Sequence, residues 1–234
     1  MVRAMGGWVM WFEVFEAGRE RGVIGSARSD DGAAWRYDGI VLREPFHLSY
    51  PCVVPWAGEH YMVPETLALG GIHLYRAHRF PDVWRRECCL VEGTFADPTV
   101  MRVGNGWAMY ACGRPRTHDV LHLFVADALT GPWREHPASP VVRDDPRRGR
   151  PGGRPIVDEG RRIRFSQDCA AGYGRGLRAL HVETLDATRY AEHDLDAAPV
   201  LHGTEPAWCA GGVHHLDAHA LPDGTWIACH DGRP

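Results

Sequence analysis

The chain has 234 residues, enough for one sizeable core, with a formal net charge of −4 and a sequence pI near 6.4. That balance leaves no basic footprint for a phosphate backbone and argues against a nucleic-acid partner. All 26 basic residues are Arg, and the absence of Lys rules out a Schiff-base lysine and a Walker A lysine.

No apolar run is long enough to cross a bilayer, and Met1 to Gly7 lacks the basic and hydrophobic regions of a signal peptide. The expectation is a soluble, cytoplasmic protein. The seven Cys (52, 88, 89, 112, 169, 209 and 229) contain no C-x-x-C pair, so reduced, mostly buried thiols are expected rather than a zinc ribbon or a disulfide framework.

In chain order, GGWVMWFE reads as a second strand ending at Glu13, with no innermost strand before it. GVIGSARSDDGAAW follows as a third strand and a turn leading to Trp35 at the start of an outer fourth strand. HLSYPCVVPW is an innermost strand, GEHYMVPE a second strand, and GIHLYRAHRFPDVW a third strand and turn reaching Trp84. The pattern recurs in FADPTVMRV, NGWAMYAC and LHLFVADALTGPW, which ends at Trp133. A looser copy has GGRPIVDEGRRIRFSQD and GLRALHVETLDATRY, with Tyr190 near the Trp position, and the last copy, GGVHHLDAHALPDGTWIACHDG, stops after its second strand.

Trp35, Trp84 and Trp133 are 49 residues apart. That period, with 27 Gly and 17 Pro and no helical periodicity, predicts an all-β chain. The expected fold is a single domain over 1–234, a five-bladed β-propeller of four-stranded antiparallel blades whose first blade lacks its innermost strand.

In such a blade the start of the innermost strand and the end of the second strand lie at the same face. Second-strand ends give Glu13, Glu65, Cys112, Gln167 and His230, with Asp168 and Asp231 adjoining. Innermost-strand starts give His47 with Ser49 and Tyr50, then Asp97, Arg154, and His214 with His215. Gathered around an axis, these carboxylates, imidazoles and one guanidinium are what a polar-ligand or acid/base site requires.

Structural roles compete with functional ones. Asp97 lies in D-P-T, where turn capping and chemistry weigh equally. Glu65 ends an apolar strand, where a carboxylate needs a partner or a task. Glu13 and Glu16 offer similar geometry, and one of them is expected to be solvated. His215 and His219 have H-x-x-x-H spacing, but on a strand they stand roughly 13 Å apart, too far to share an ion, so no metal site is expected. Arg147, Arg148 and Arg150 read as a solvated loop, whereas Arg154, just before PIV, is placed to hold a carboxylate or phosphate.

The runs HLSYPCVVPWAGEHYMVPET, LHLFVADALTGPW, GRPGGRPIV and RFSQDC resemble the glycoside-hydrolase-43-like propeller domain at the N-terminus of plant glucosamine inositolphosphorylceramide transferases and of related bacterial proteins. The resemblance covers nearly the whole chain and implies a five-bladed propeller of the clan that includes arabinanases, xylosidases and invertases. It implies no cofactor beyond the structural Ca²⁺ that some propellers of the clan hold in the channel. FADPTV looks like the middle-blade motif, which gives Asp97 the role of tuning the acid. The first-blade Asp-Pro motif has no counterpart, and the position of the acid Glu reads GGRP, with Arg154. Two of the three catalytic roles therefore do not transfer by motif.

The leading expectation is a glycoside hydrolase-like enzyme acting on a polar or anionic glycan or glycoconjugate. Glu65 would donate the proton, Asp97 would orient it, and Glu13 or Asp168 would activate water. His47, Tyr50, Arg154, Gln167, His214, His215 and His230 would position the substrate, and inversion is the expected outcome. The alternatives are a non-catalytic sugar- or glycoconjugate-binding module and a biosynthetic enzyme with non-hydrolytic chemistry on the same fold.

Overall fold

The computed structural model describes residues 1–203 and 207–234. Five antiparallel sheets follow one another along the chain. The first joins β1 (Val2–Ala4), β2 (Gly7–Glu16), β3 (Arg21–Ser29) and β4 (Arg36–Leu42), and the second joins β5 (Ser49–Trp56), β6 (Glu59–Glu65), β7 (Gly71–Arg79) and β8 (Val83–Glu92). The third contains β9 (Ala96–Val103), β10 (Gly106–Cys112), β11 (Leu121–Ala126) and β12 (Arg134–Glu135). The fourth contains β13 (Ile156–Asp158), β14 (Arg161–Asp168), β15 (Gly176–Leu185) and β16 (Tyr190–Asp194), with β17 (Leu201–His202) also on β15. The fifth has two strands, β18 (Leu216–Ala220) and β19 (Trp226–His230). In each four-stranded sheet the strands lie in sequence order, as in the blades of a propeller.

Two corrections to the sequence reading concern the first blade. Val2–Ala4 does form an innermost strand, pairing Val2 with Val9 and Ala4 with Gly7; at three residues it is too short to show alternation. Glu13 does not end its strand, because β2 runs on to Glu16 in register with β3 as far as Arg21.

The regular Trp spacing has a local cause. Trp35 Nε1–H donates to Gly32 O at 3.0 Å, Trp84 Nε1–H to Pro81 O at 2.8 Å, and Trp133 Nε1–H to Leu129 O at 2.9 Å. Each indole folds back onto the turn that delivers its outer strand, satisfying a turn carbonyl while covering apolar surface.

The described residues form two compact units, Met1–Pro98 with Ala128–Trp133, and Thr99–Asp127 with Arg134–Pro234. In the first, Val9, Trp11, Ile24, Val53, Met62 and Tyr75 belong to a core shared by two blades, and Trp11 meets Trp84 edge-on at 5.7 Å. In the second, one cluster gathers Ala108, Tyr110, Leu121 and Leu123 from the third blade, and another gathers Ile163, Phe165 and Ala179 from the fourth.

Two glycines explain the GRPGGRP run. A Cβ on Gly152 would meet the backbone of Ser166 and Gln167, and one on Gly153, at φ +133°, would run into the carbonyl of Leu216. The segment is wedged tightly, with Pro151 bridged to Ser166 and Gly153 bridged to Leu216. Only glycine fits such an approach.

Candidate functional site

In the first unit, Glu65 closes β6 and Asp97 is the second residue of β9. Both side chains are buried, and the Asp97 backbone N–H donates to Glu65 Oε2 at 3.1 Å. Asp97 has φ +51°, and Tyr50, at the corresponding place in the preceding blade, has φ +47°. Each precedes a proline, and a non-glycine residue held in the left-handed region there stores backbone strain. At Tyr50 the strain accompanies a bulge, since pairing skips from Ser49↔Glu65 to Cys52↔Val63.

Glu13 and His47 make a second contact in the first unit. The Gly22 N–H donates to His47 Nδ1 at 2.8 Å, which puts the proton of a neutral ring on Nε2. That nitrogen lies 3.6 Å from Glu13 Oε1. A Cβ on Gly22 would collide with both partners and with the Leu48 carbonyl, so a glycine is required. His47 and Ser49 are two residues apart, a spacing of about 7 Å in extended chain, and Ser49 faces Glu65 in the ladder. Glu13 with His47 and Glu65 with Asp97 are thus two contacts of the first unit, and Ser49 and Tyr50 lie between His47 and Glu65 in the chain.

In the second unit, Arg154 precedes β13 and its Nε donates to Asp217 Oδ1 at 2.7 Å. His219 Nε2 lies 2.9 Å from the same oxygen. Burial works against the charge on Asp217, yet the carboxyl is held well below the ordinary range, with Arg154 the strongest of the groups that favour its charge and His219 a further one. Asp231 follows β19 and accepts the backbone N–H groups of His214 and His215, both at 2.9 Å, while its Oδ2 pairs with His214 Nδ1. Burial again opposes the charge, and His214 with the two backbone donors keeps Asp231 below the usual carboxylate range.

The other predicted residues are committed to internal contacts. Gln167 is buried and its Nε2 donates to Pro151 O at 2.9 Å, tying β14 to the glycine-rich segment. Asp168 pairs with Arg178 at 3.1 Å, and Arg178 also holds Asp194 at 3.0 Å. His230 is exposed and stacks on Trp208 with ring centroids 5.3 Å apart. The arginine run is not simply solvated: Arg150 is 8% exposed and donates toward His118 Nδ1 at 3.0 Å, and Arg148 pairs with Asp194. Sequence reasoning passed over Asp217, although it alternates with His219 in LDAHA, the period of one strand face. Among the described residues, no group of three or more His, Cys, Asp or Glu is placed to hold a metal ion, and no helix is long and apolar enough to cross a membrane.

Residues 5–233 match the family described as glucosamine inositolphosphorylceramide transferase 1, N-terminal. The chain belongs to this family. Glucosamine inositolphosphorylceramide transferase 1 of Oryza sativa subsp. japonica is 36% identical over 236 residues, covering 95% of the chain but 31% of that protein. The chain therefore spans about a third of the length of this relative. Among solved structures, a family 117 glycoside hydrolase of Zobellia galactanivorans is similar with a TM-score of 0.63 and 13% identity, covering 97% of this chain and 80% of that one. A thermostable family-43 glycoside hydrolase gives 0.66 and 11%, covering 88% and 75%. At that identity the likeness shows the fold, the propeller of these glycoside hydrolases.

Proposed function

We propose that this member of the family is a glycoside hydrolase-like, carbohydrate-processing propeller whose reacting centre is Glu65 with Asp97. The observation that carries the reading is the buried bond from the Asp97 N–H to Glu65 Oε2. Fixing Oε2 directs the exchangeable proton of the acid form to Oε1, so the carboxyl has a defined donor oxygen. The burial of Glu65 limits its contact with bulk water and strengthens its electrostatic interactions with a bound substrate. Asp168 is engaged by Arg178, which leaves Glu13, oriented through His47, as the residue to activate water. Tyr50, next in the chain to Ser49, which faces Glu65 in the ladder, would position hydroxyls.

The test is hydrolysis of a panel of aryl glycosides and oligosaccharides, with the anomeric product followed by NMR. Glu65→Gln is expected to abolish turnover, and the first product formed by wild type is expected to be inverted.

A second reading, a glycoconjugate-binding module without cleavage, is favoured by Arg154, which stands where the acid of active relatives is expected and is engaged with Asp217. Binding of panel members with no turnover by wild type would select it.

A further inference from the structure

A side-chain cluster in the second unit lies outside the proposed reacting centre, with Tyr173 its exposed member. It draws His118 from the β10–β11 loop, Arg150 from the segment before β13, Tyr173 from the β14–β15 loop and His214 from the approach to β18. His118 and Tyr173 follow second strands, and Arg150 and His214 precede innermost strands.

Tyr173 is 40% exposed. The Arg150 guanidinium lies 4.8 Å from its ring centroid, and the His118 ring 5.3 Å from it. Arg150 and His118 are themselves bonded at 3.0 Å. Groups on opposite faces of the ring would be about twice as far from each other as from Tyr173, so both must lie on one side. The same guanidinium reaches Pro115 O at 3.3 Å, and Arg233 donates to Tyr173 O at 3.2 Å, so both the ring and its backbone are braced. His214 meets Tyr173 edge-on at 5.1 Å. Gly174, at φ +68°, permits this approach, because a Cβ there would stand 3.1–3.3 Å from the His214 side chain. Asp231 grips His214 at Nδ1 and so sets the direction of Nε2.

We propose that Tyr173 is a stacking platform for a hexopyranose ring, with His214 as its hydroxyl partner. A braced, 40% exposed aromatic ring beside an oriented imidazole suits a sugar ring that has an apolar C–H face and polar edges. Arg150 acts from behind as a brace. The proposal takes the ligand class from the carbohydrate reading but does not depend on cleavage.

The test is binding of the full chain to an array of hexopyranose oligosaccharides, neutral and acidic, with Tyr173→Ala and Tyr173→Phe alongside wild type. Wild type and Tyr173→Phe are expected to bind within about twofold of each other, and Tyr173→Ala to lose about tenfold or more. Equal binding by Tyr173→Ala, in a protein that unfolds at the wild-type temperature, overturns the platform. So does a wild type that binds no hexopyranose on the array. Loss of turnover in Glu65→Gln with its array binding intact leaves the platform standing, and a platform failure with turnover intact leaves the reacting centre standing.

Discussion

The backbone N–H of Asp97 donates to Glu65 Oε2, so the second residue of one innermost strand holds the last residue of the preceding blade's second strand. The contact uses the main chain of Asp97, not its carboxylate, and the two roles of this residue are separable.

Asp97→Asn keeps the backbone donor and tolerates φ +51°, as Asn and Asp do better than other L-residues. Asp97→Ala keeps the donor but not the tolerance. Denaturant unfolding is expected to place Asp97→Ala about 1–2 kcal/mol below Asp97→Asn. Equal stabilities would mean that the left-handed backbone at Asp97 is not strained.

Removing Asp217 leaves Arg154, largely buried, without the carboxylate that holds its Nε. Asp217→Ala is expected to cost about 3–5 kcal/mol in urea unfolding. Asp217→Ala combined with Arg154→Met is expected to recover much of that loss, because it also removes the stranded charge.

At Gly153 both φ and space demand glycine. Gly153→Ala is expected to destabilise the chain by about 3 kcal/mol, with loss of amide protection along β18 in hydrogen exchange. An unchanged exchange pattern would show that the bridge from Gly153 to Leu216 does not hold the fifth sheet.

Asp217 and Asp231 both have folded-state pKa values depressed below their ordinary value. A depressed carboxylate contributes stability that is fully present above its unfolded pKa, about 3.9, and is lost as pH falls through the folded value. The unfolding temperature is therefore expected to fall as pH is lowered below about 4. Asp231→Asn is expected to start from a lower temperature at pH 7 and to show a shallower fall, which scanning fluorimetry across pH 2–7 would measure.

The repeat was legible because each Trp has a job within its own turn, so a local constraint recurs at the blade period. Glu65, Cys112 and His230 were legible as strand ends because the alternating runs stop there. What the sequence withheld is long-range pairing. Nothing near Arg154 announces Asp217, 63 residues away, and Asp168 reads as a candidate base until Arg178 is found across the β14–β15 ladder. Arg150 looked solvated because its neighbours Arg147 and Arg148 are charged, yet its burial comes from Tyr173 and His118, which are remote in the chain. Strand β1 was missed because three residues carry no period.

Whether Glu65 serves chemistry rather than binding is tested most directly by measuring kcat and Kd for the same oligosaccharide in wild type and Glu65→Gln. The expected result is a fall in kcat of about 10²-fold or more with Kd within about twofold, since the amide keeps the shape and the acceptor for the Asp97 N–H but has no proton to give. An unchanged kcat, or a Kd that weakens in step with kcat, would contradict the assignment of Glu65 as the proton donor.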